Sequence, residues 1–132
     1  MNDLVRQLED EMRKLPQLQL ETKHYFADGM YCRALFRPAG TLIVGKQHRR
    51  EHFYIVVSGR VQVEKNIYGP GSIVVSGPGS KRAVLALEDS LCITVHRTNK
   101  KNLDKIEREL IEPDPRALFD ARNKLKELPC PG

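Results

Sequence analysis

Between residues 18 and 95 the sequence is divided into short runs of β-branched, aliphatic and aromatic residues by segments that contain glycine or proline. These segments include DG, PAG, SG, YGPG and GPGS. They are too short to hold crossover helices, so neighbouring strands must pair in antiparallel fashion. About eight short antiparallel strands predict a mainly β sandwich or barrel. We place the strands at residues 18–25, 30–36, 41–44, 52–57, 60–65, 72–75, 82–87 and 91–96.

Both ends of the chain show helical periodicity instead, with apolar residues every three or four positions. One helix is predicted before Pro16 and two are predicted after Thr98, the second of them capped by Asp114 with Pro115 in its first turn. We therefore divide the chain into an amino-terminal helix (1–16), a β-barrel (17–97) and a carboxyl-terminal helical extension (98–132). The apolar positions of the three helices are Leu4, Leu8, Met12 and Leu15; Leu103, Ile106 and Leu110; and Leu118, Phe119, Leu125 and Leu128.

Composition excludes several classes of protein. No apolar run reaches the roughly 18 residues of a membrane span, and the amino terminus is charged, so we expect a cytoplasmic protein without a membrane partner. The three cysteines lack the spacing of a zinc finger or of a disulfide framework. The net charge of +5 favours anionic partners. Because the basic residues are scattered and form no aromatic-laced stripe, we do not expect nucleic-acid binding.

The segment GKQHRREHFYIVVSGRV, residues 45–61, concentrates the residues that carry chemistry. Alternate side chains of an extended segment share one face. Lys46, His48, Arg50, His52 and Tyr54 would therefore lie on one side if this segment is extended. Such a set can donate to an anion, and its histidines can ligate a metal ion.

The same segment, together with GPGSIVVSGPGSKRAVLALEDS further on, resembles the two signature motifs of the cupins, which are small jelly-roll β-barrels. The first cupin motif reads G-x5-H-x-H-x3/4-E-x6-G, and the second ends in P-x-G-x2-H. Aligned on Gly59, His52 falls on the metal-binding glutamate, while His48 and Lys46 fall on the two histidines. Arg82 falls on the last histidine. A subgroup of small cupins encoded in tailed bacteriophage genomes is similar over KRA-x-x-ALED as well.

This resemblance implies a cupin-like jelly-roll barrel in which three of the four usual metal-ligand types are replaced. Lysine and arginine offer no lone pair and repel a cation, so we expect no cofactor and an anionic guest instead. The predicted ligand-binding residues are Lys46, His48, His52, Tyr54 and Arg82. The alternative is a metal held by His48 and His52, joined by His96, by His24 or by an acid. We expect His96 to face solvent, because Leu91, Ile93 and Val95 resemble the inward-facing set.

Three functions stay open from the sequence. The favoured one is a binding module whose basic pocket binds or sequesters a small anion, such as a nucleotide or a phosphorylated metabolite. The second is a cupin enzyme, either a metal-dependent oxygenase or isomerase or a metal-free epimerase-like proton-transfer enzyme; the sequence does not favour catalysis. The third is a phage structural or assembly protein. Cupins commonly dimerise, so the resemblance also implies a homodimer, acting in the host cytoplasm if the protein is encoded by a phage.

Overall fold

The computed structural model describes residues 2–15, 20–114, 117 and 119–122. Two helices flank nine strands in this part of the chain. The elements are α1 (Asn2–Met12), β1 (Thr22–Ala27), β2 (Met30–Arg37), β3 (Leu42–Val44), β4 (His52–Ser58), β5 (Val61–Val63), β6 (Asn66–Tyr68), β7 (Ile73–Ser76), β8 (Ala83–Ala86), β9 (Ser90–Arg97) and α2 (Leu103–Leu110). No helix among the described residues has the length and apolarity that spanning a bilayer requires.

The strands form two antiparallel sheets. The larger sheet has the order β1-β2-β9-β4-β7, and the smaller one has the order β3-β8-β5-β6. The antiparallel, mainly β prediction is therefore confirmed. A closed barrel is not formed, because no strand pairing joins the two sheets within the described residues. The sheets are held together by side-chain packing, which makes the molecule an open sandwich.

The hydrophobic core lies between the two sheets. Val56 of β4 and Cys92 of β9 point inward from the larger sheet and contact Val61, Val63 and Val84 of the smaller sheet. Val56 and Val61 are completely buried. The inward direction of Val56 sets the parity of β4, so His52 and Tyr54, two and four residues earlier, also face the interior.

Eight strands were predicted and nine are present. The predicted strand at residues 60–65 is shortened to β5, because the chain turns at Glu64, which has a φ of +56°. The returning residues form β6, which pairs with β5 from Val61↔Tyr68 to Val63↔Asn66. The sequence prediction placed residues 66–68 in no strand, since three residues that run into the YGPG segment are too few to show alternation.

The helices agree with the prediction in part. Helix α2 is confirmed: Ile106 and Leu110 of its predicted stripe are buried against Tyr31 of β2. Helix α1 ends at Met12, three residues earlier than predicted. The second carboxyl-terminal helix, with Pro115, Leu118, Leu125 and Leu128, falls largely outside the described residues. Those that are described there, 117 and 119–122, are not helical.

Candidate metal and anion site

Three histidines converge at one end of the sandwich. His52 begins β4 and His96 lies near the end of β9, the strand that pairs with β4. His48 lies in the connection between β3 and β4. The candidate ligand atoms of the three side chains all lie within 4.8 Å of one another. Their ring centroids are 4.2, 4.7 and 5.4 Å apart.

The backbone around His48 explains its position. The Gly79 N–H donates to the His48 carbonyl at 2.7 Å, which ties the connection to the GPGS turn. The Arg49 N–H donates to the Leu110 carbonyl at 2.8 Å, and His48 forms an isolated antiparallel bridge with Ile111. The connection is thus held from two sides, which directs the imidazole of His48 toward the other two histidines.

The expectation for His96 was wrong. His96 is 6% exposed and faces the interior. Cys92 and His96 form the inward-facing set of β9, whereas Leu91, Ile93 and Val95 lie on the opposite face. The outer face of β9 is the more apolar one, because Ser90, Thr94 and His96 share the inner face with Cys92, so alternation pointed to the wrong face.

The three imidazoles are neutral near neutral pH. Burial, and next the neighbouring His52, lower the pKa of His48 to about 3. Burial and then the two other histidines lower the pKa of His96 to about 3. The pKa of His52 is also lowered by burial. Neutral imidazoles are poor partners for an anion, but each has a lone pair for a metal ion.

Hydrogen bonds orient two of the rings. His52 Nδ1 lies 3.2 Å from the Arg50 carbonyl oxygen. Since a carbonyl only accepts, Nδ1 must carry the proton, and the lone pair of His52 is then on Nε2. His96 Nε2 lies 2.9 Å from Thr94 Oγ1. His24, another histidine considered from the sequence, lies outside the cluster and is hydrogen-bonded through Nδ1 to Tyr31 Oη at 2.6 Å.

The cluster fits a transition metal ion. Two nitrogens on a tetrahedral ion with bonds of about 2.1 Å are about 3.4 Å apart. Because the histidine nitrogens already lie within 4.8 Å of one another, small side-chain rotations would bring them to that spacing. Imidazole ligands suit zinc, iron, nickel and copper. Three ligands leave at least one coordination position for another group, as in catalytic rather than structural zinc sites.

A cavity of about 610 Å³ adjoins the histidines. It lies between the two sheets and is also bordered by residues of α1 and α2. The structure brings all five sequence-predicted site residues, Lys46, His48, His52, Tyr54 and Arg82, to the wall of this cavity. Arg50, which was predicted to share a face with Lys46 and the two histidines, does not line the cavity; it is exposed and lies 2.9 Å from Glu109 of α2.

Two of the cavity's cations are neutralised by acids. The ammonium of Lys46 forms a salt bridge and hydrogen bond with Glu107 of α2. Lys81, almost fully buried, lies 3.3 Å from Glu9 of α1. Lys46 is therefore not a free cation in the cavity.

Three arginines on the cavity wall, Arg33, Arg37 and Arg82, have no salt-bridge partner in the described part of the chain. Arg33 adds to the positive field at the histidines, and this field contributes to the low pKa of both His48 and His96. Arg82 acts in the same way on His52. The cavity wall carries five lysine and arginine side chains against four acids, Glu9, Glu107, Asp114 and Asp120, so with neutral histidines its described charges sum to +1.

Tyr54 lies in the same cavity with its hydroxyl buried. Tyr54 Oη has no oxygen or nitrogen partner among the described residues. Burial, as the largest cause, raises the pKa of Tyr54, so the phenol stays protonated and remains a hydrogen-bond donor.

The sequence analysis missed Arg33, Arg37, Lys81 and Glu107. A signal for the two arginines was present, because in YCRALFR they alternate with Tyr31 and Leu35 on one face. No local pattern pointed to Lys81 or Glu107. Their roles depend on how α1 and α2 pack against the sheets.

The structure is similar to solved cupins. KdgF from Halomonas sp. matches with a TM-score of 0.53 and 21% identity, over 64% of this chain and 84% of KdgF. An RmlC-like cupin from Ralstonia eutropha JMP134 matches with a TM-score of 0.52 and 17% identity, over 61% of this chain and 57% of that cupin. An acetylacetone dioxygenase from Acinetobacter johnsonii matches with a TM-score of 0.52 and 11% identity, over 63% of this chain and 66% of the dioxygenase. No family profile and no curated protein sequence matches the chain. The chain therefore has the cupin fold.

Proposed function

We propose that this cupin binds a divalent transition metal through His48, His52 and His96, and that its cavity takes a small anionic molecule beside the metal. The observation that carries the proposal is the convergence of three neutral imidazoles at the wall of a cavity. From the sequence, metal binding was the alternative function, with His48 and His52 as two ligands and with His96, His24 or an acid as the third. His96 supplies that third ligand.

The anionic part of the proposal follows from the arginines. Lys46, His48, His52 and Arg82 were expected to bind the anion together. With the histidines neutral and Lys46 paired to Glu107, the positive charge is supplied by Arg33, Arg37 and Arg82. A guanidinium donates to a carboxylate or phosphate through two parallel hydrogen bonds. A bound anion would offset the charge of these arginines and of the metal.

A metalloenzyme is the second candidate, and Glu107 favours it. This carboxylate lies on the cavity wall, where sequence reasoning found no acid. A carboxylate in the same cavity as a metal site is a candidate for general acid or base chemistry. One of the similar structures is an acetylacetone dioxygenase, which is also consistent with this candidate. A cytoplasmic location and a relationship to phage cupins stay predictions of the sequence.

Metal analysis tests the proposal. The full chain is stripped with a chelator and titrated with Zn²⁺ or Co²⁺, and the bound metal is counted by mass spectrometry. We expect about one metal ion per chain and a loss of affinity of at least about tenfold in His96→Ala. His24→Ala is the matched control, because His24 is outside the cluster, and it should bind metal like the wild type. Wild-type affinity in His96→Ala, or no metal uptake by the wild type, would contradict the proposal.

A further inference from the structure

Arg37 is the most unusual polar residue of the cavity. It is the last residue of β2 and is 7% exposed. Its Nε and Nη1 are buried and have no hydrogen-bond partner in the described part of the chain. Buried guanidinium groups are normally paired, because a charge that is removed from water without a partner destabilises the fold. A partner for Arg37 is therefore expected to come from outside the described residues.

Tyr54 provides a second unsatisfied donor at the same place. The Arg37 guanidinium carbon lies 5.8 Å from the centroid of the Tyr54 ring. Tyr54 Oη, like the two arginine nitrogens, is buried without an oxygen or nitrogen partner among the residues described. Two adjacent residues on the wall of one cavity thus present donors that no described oxygen or nitrogen meets, and the Cys92 thiol beside the Tyr54 hydroxyl is only a weak acceptor. An oxyanion is the group that satisfies such a pair.

The strand register fixes the distance of Tyr54 from the histidines, whereas Arg37 starts two rows further along, opposite Ser90, and its side chain reaches back to the Tyr54 ring. Tyr54 is opposite Thr94, and Thr94 is opposite Arg33. His52 lies two residues before Tyr54 on β4, and His96 lies two residues after Thr94 on β9. Because the strands are antiparallel, the two histidines form the neighbouring row on the same inner face. Two residues of a strand span about 6.7 Å. The Tyr54 row is on the core side, between the histidines and the Val56–Cys92 contact. A molecule of a few carbon atoms would therefore reach from one row to the other.

We propose that Arg37 and Tyr54 form a carboxylate-binding subsite, and that the ligand of this cavity is a small organic acid. Its carboxylate accepts hydrogen bonds from the Arg37 guanidinium and the Tyr54 hydroxyl, and another oxygen faces the three histidines. This inference depends on the proposed function only for the ligand oxygen that faces the three histidines. A carboxylate matches the site because its two oxygens can accept from the Arg37 guanidinium and the Tyr54 hydroxyl together, and its charge offsets that of Arg37.

Metal and acid should bind cooperatively. A divalent ion at the histidines adds positive charge to a cavity that already holds three arginines without a salt bridge to any described residue. A carboxylate reduces this repulsion, so it should strengthen metal binding, and the metal should strengthen acid binding by the same factor.

The test uses the full chain, metal-free and loaded with Co²⁺. Acetate, pyruvate, succinate, glutarate and inorganic phosphate are compared by thermal shift, and the best carboxylate is titrated by calorimetry. We expect at least one carboxylate to raise the melting temperature of the metal-free protein and to bind about tenfold more tightly when Co²⁺ is present. The Co²⁺ absorption bands should change when it binds. An equal or larger shift with phosphate, or no shift with any carboxylate, would overturn the carboxylate assignment.

Variants identify the residues. Arg37→Met should abolish the carboxylate shift and leave Co²⁺ affinity within about twofold of the wild type, and Tyr54→Phe should weaken the carboxylate about tenfold. Without ligand, Arg37→Met should melt several degrees higher, because it removes a buried charge that has no partner in the described part of the chain. The exposed Arg60→Met is the matched control and should change neither property. A wild-type carboxylate response in Arg37→Met would refute the subsite.

The two proposals fail in different ways. If Co²⁺ does not bind but a carboxylate still stabilises the protein through Arg37, the metal proposal fails and the subsite stands. If Co²⁺ binds through the histidines and the carboxylate response is missing or independent of Arg37, the subsite fails and the metal proposal stands.

Discussion

The turn between β4 and β5 passes through Gly59, which has a φ of +78°. A β-carbon built at this position would lie 2.2 Å from Ser90 Oγ and 2.3 Å from the Asp89 carbonyl oxygen. Gly59 is thus required twice, once for its backbone conformation and once because the chain before β9 passes directly over it. It corresponds to the closing glycine of the first cupin motif, so this part of the motif has a steric explanation.

Replacing Gly59 with alanine should lower the free energy of unfolding by about 3 kcal/mol or more, because the strain of a positive φ and a clash with backbone atoms add together. Gly71→Ala separates the two contributions, since Gly71 has a φ of +85° and a β-carbon at that position would meet no described atom within 4 Å. We expect Gly71→Ala to lower the free energy of unfolding by about 1 kcal/mol. Urea denaturation of both variants measures the difference. If both variants lost the same free energy of unfolding, the contact of the new β-carbon with Ser90 and Asp89 would not contribute to the loss at Gly59.

The sequence identified residues of the candidate site where their spacing is local. His48, His52 and Tyr54 lie within seven positions, and one strand and its entry bring them to one cavity. His96 was misplaced, because the inner face of β9 is decided by its neighbours β2 and β4 and not by its own residues. The packing of α2 also pairs Lys46 with Glu107, which the sequence could not show. Lys46 is therefore no longer one of the free cations of the predicted anion site.

Helix α2 links the core to the candidate metal site. Its buried Ile106 and Leu110 pack on Tyr31, and the carbonyl of Leu110 accepts a hydrogen bond from the Arg49 backbone, next to His48. The helix starts at a well-formed cap, where Asn102 Oδ1 accepts from the Lys105 N–H at 3.1 Å. Loosening this helix should therefore affect His48 before it affects the two histidines of the larger sheet.

Ile106→Ala should lower the free energy of unfolding by about 2–4 kcal/mol and also weaken Co²⁺ binding, by about tenfold, through the loss of order at His48. Val61→Ala is the matched control, because Val61 is fully buried in the other cluster, away from α2. It should cost a comparable amount of stability and leave Co²⁺ affinity unchanged. Calorimetric titration at a temperature where both variants are folded makes the comparison. Equal metal affinities in the two variants would contradict the role of α2.

Helices and strands were predictable from the sequence where they bury one face or where their apolar residues follow a clear period. The stripe of Leu103, Ile106 and Leu110 predicted α2 because a helix of this length repeats the apolar spacing twice. The strands of the larger sheet were located within a few residues for the same kind of reason. The short β6 was not, since its place in the smaller sheet comes from the turn at Glu64 and from pairing with β5.

The two faces of the larger sheet differ at the scale of the whole molecule. The inner face carries the histidines, the arginines and the core, whereas the outer face is largely apolar. Seven large side chains on this outer face remain substantially exposed, about half on average: Tyr25, Met30, Phe36, Phe53, Val57, Ile73 and Val75. At about 150–250 Å² for a whole aromatic side chain, the three aromatic residues alone present roughly 200–400 Å², and the four aliphatic ones extend this patch toward the roughly 800 Å² that each partner contributes to a standard interface.

We expect a second copy of the chain to cover this face, as the sequence predicted for a homodimer. Two flat apolar sheet faces are complementary to each other, and a two-fold axis brings the same residues together from both copies. Ile73→Lys places a charge in the centre of the contact and should convert the dimer to a monomer, as measured by light scattering after size-exclusion chromatography. Ile67→Lys is the matched control, because Ile67 is similarly exposed but lies on β6 of the smaller sheet, and it should remain dimeric. A wild-type monomer at high concentration, or a dimer that withstands Ile73→Lys, would mean that another partner covers the apolar face or that the copies meet elsewhere.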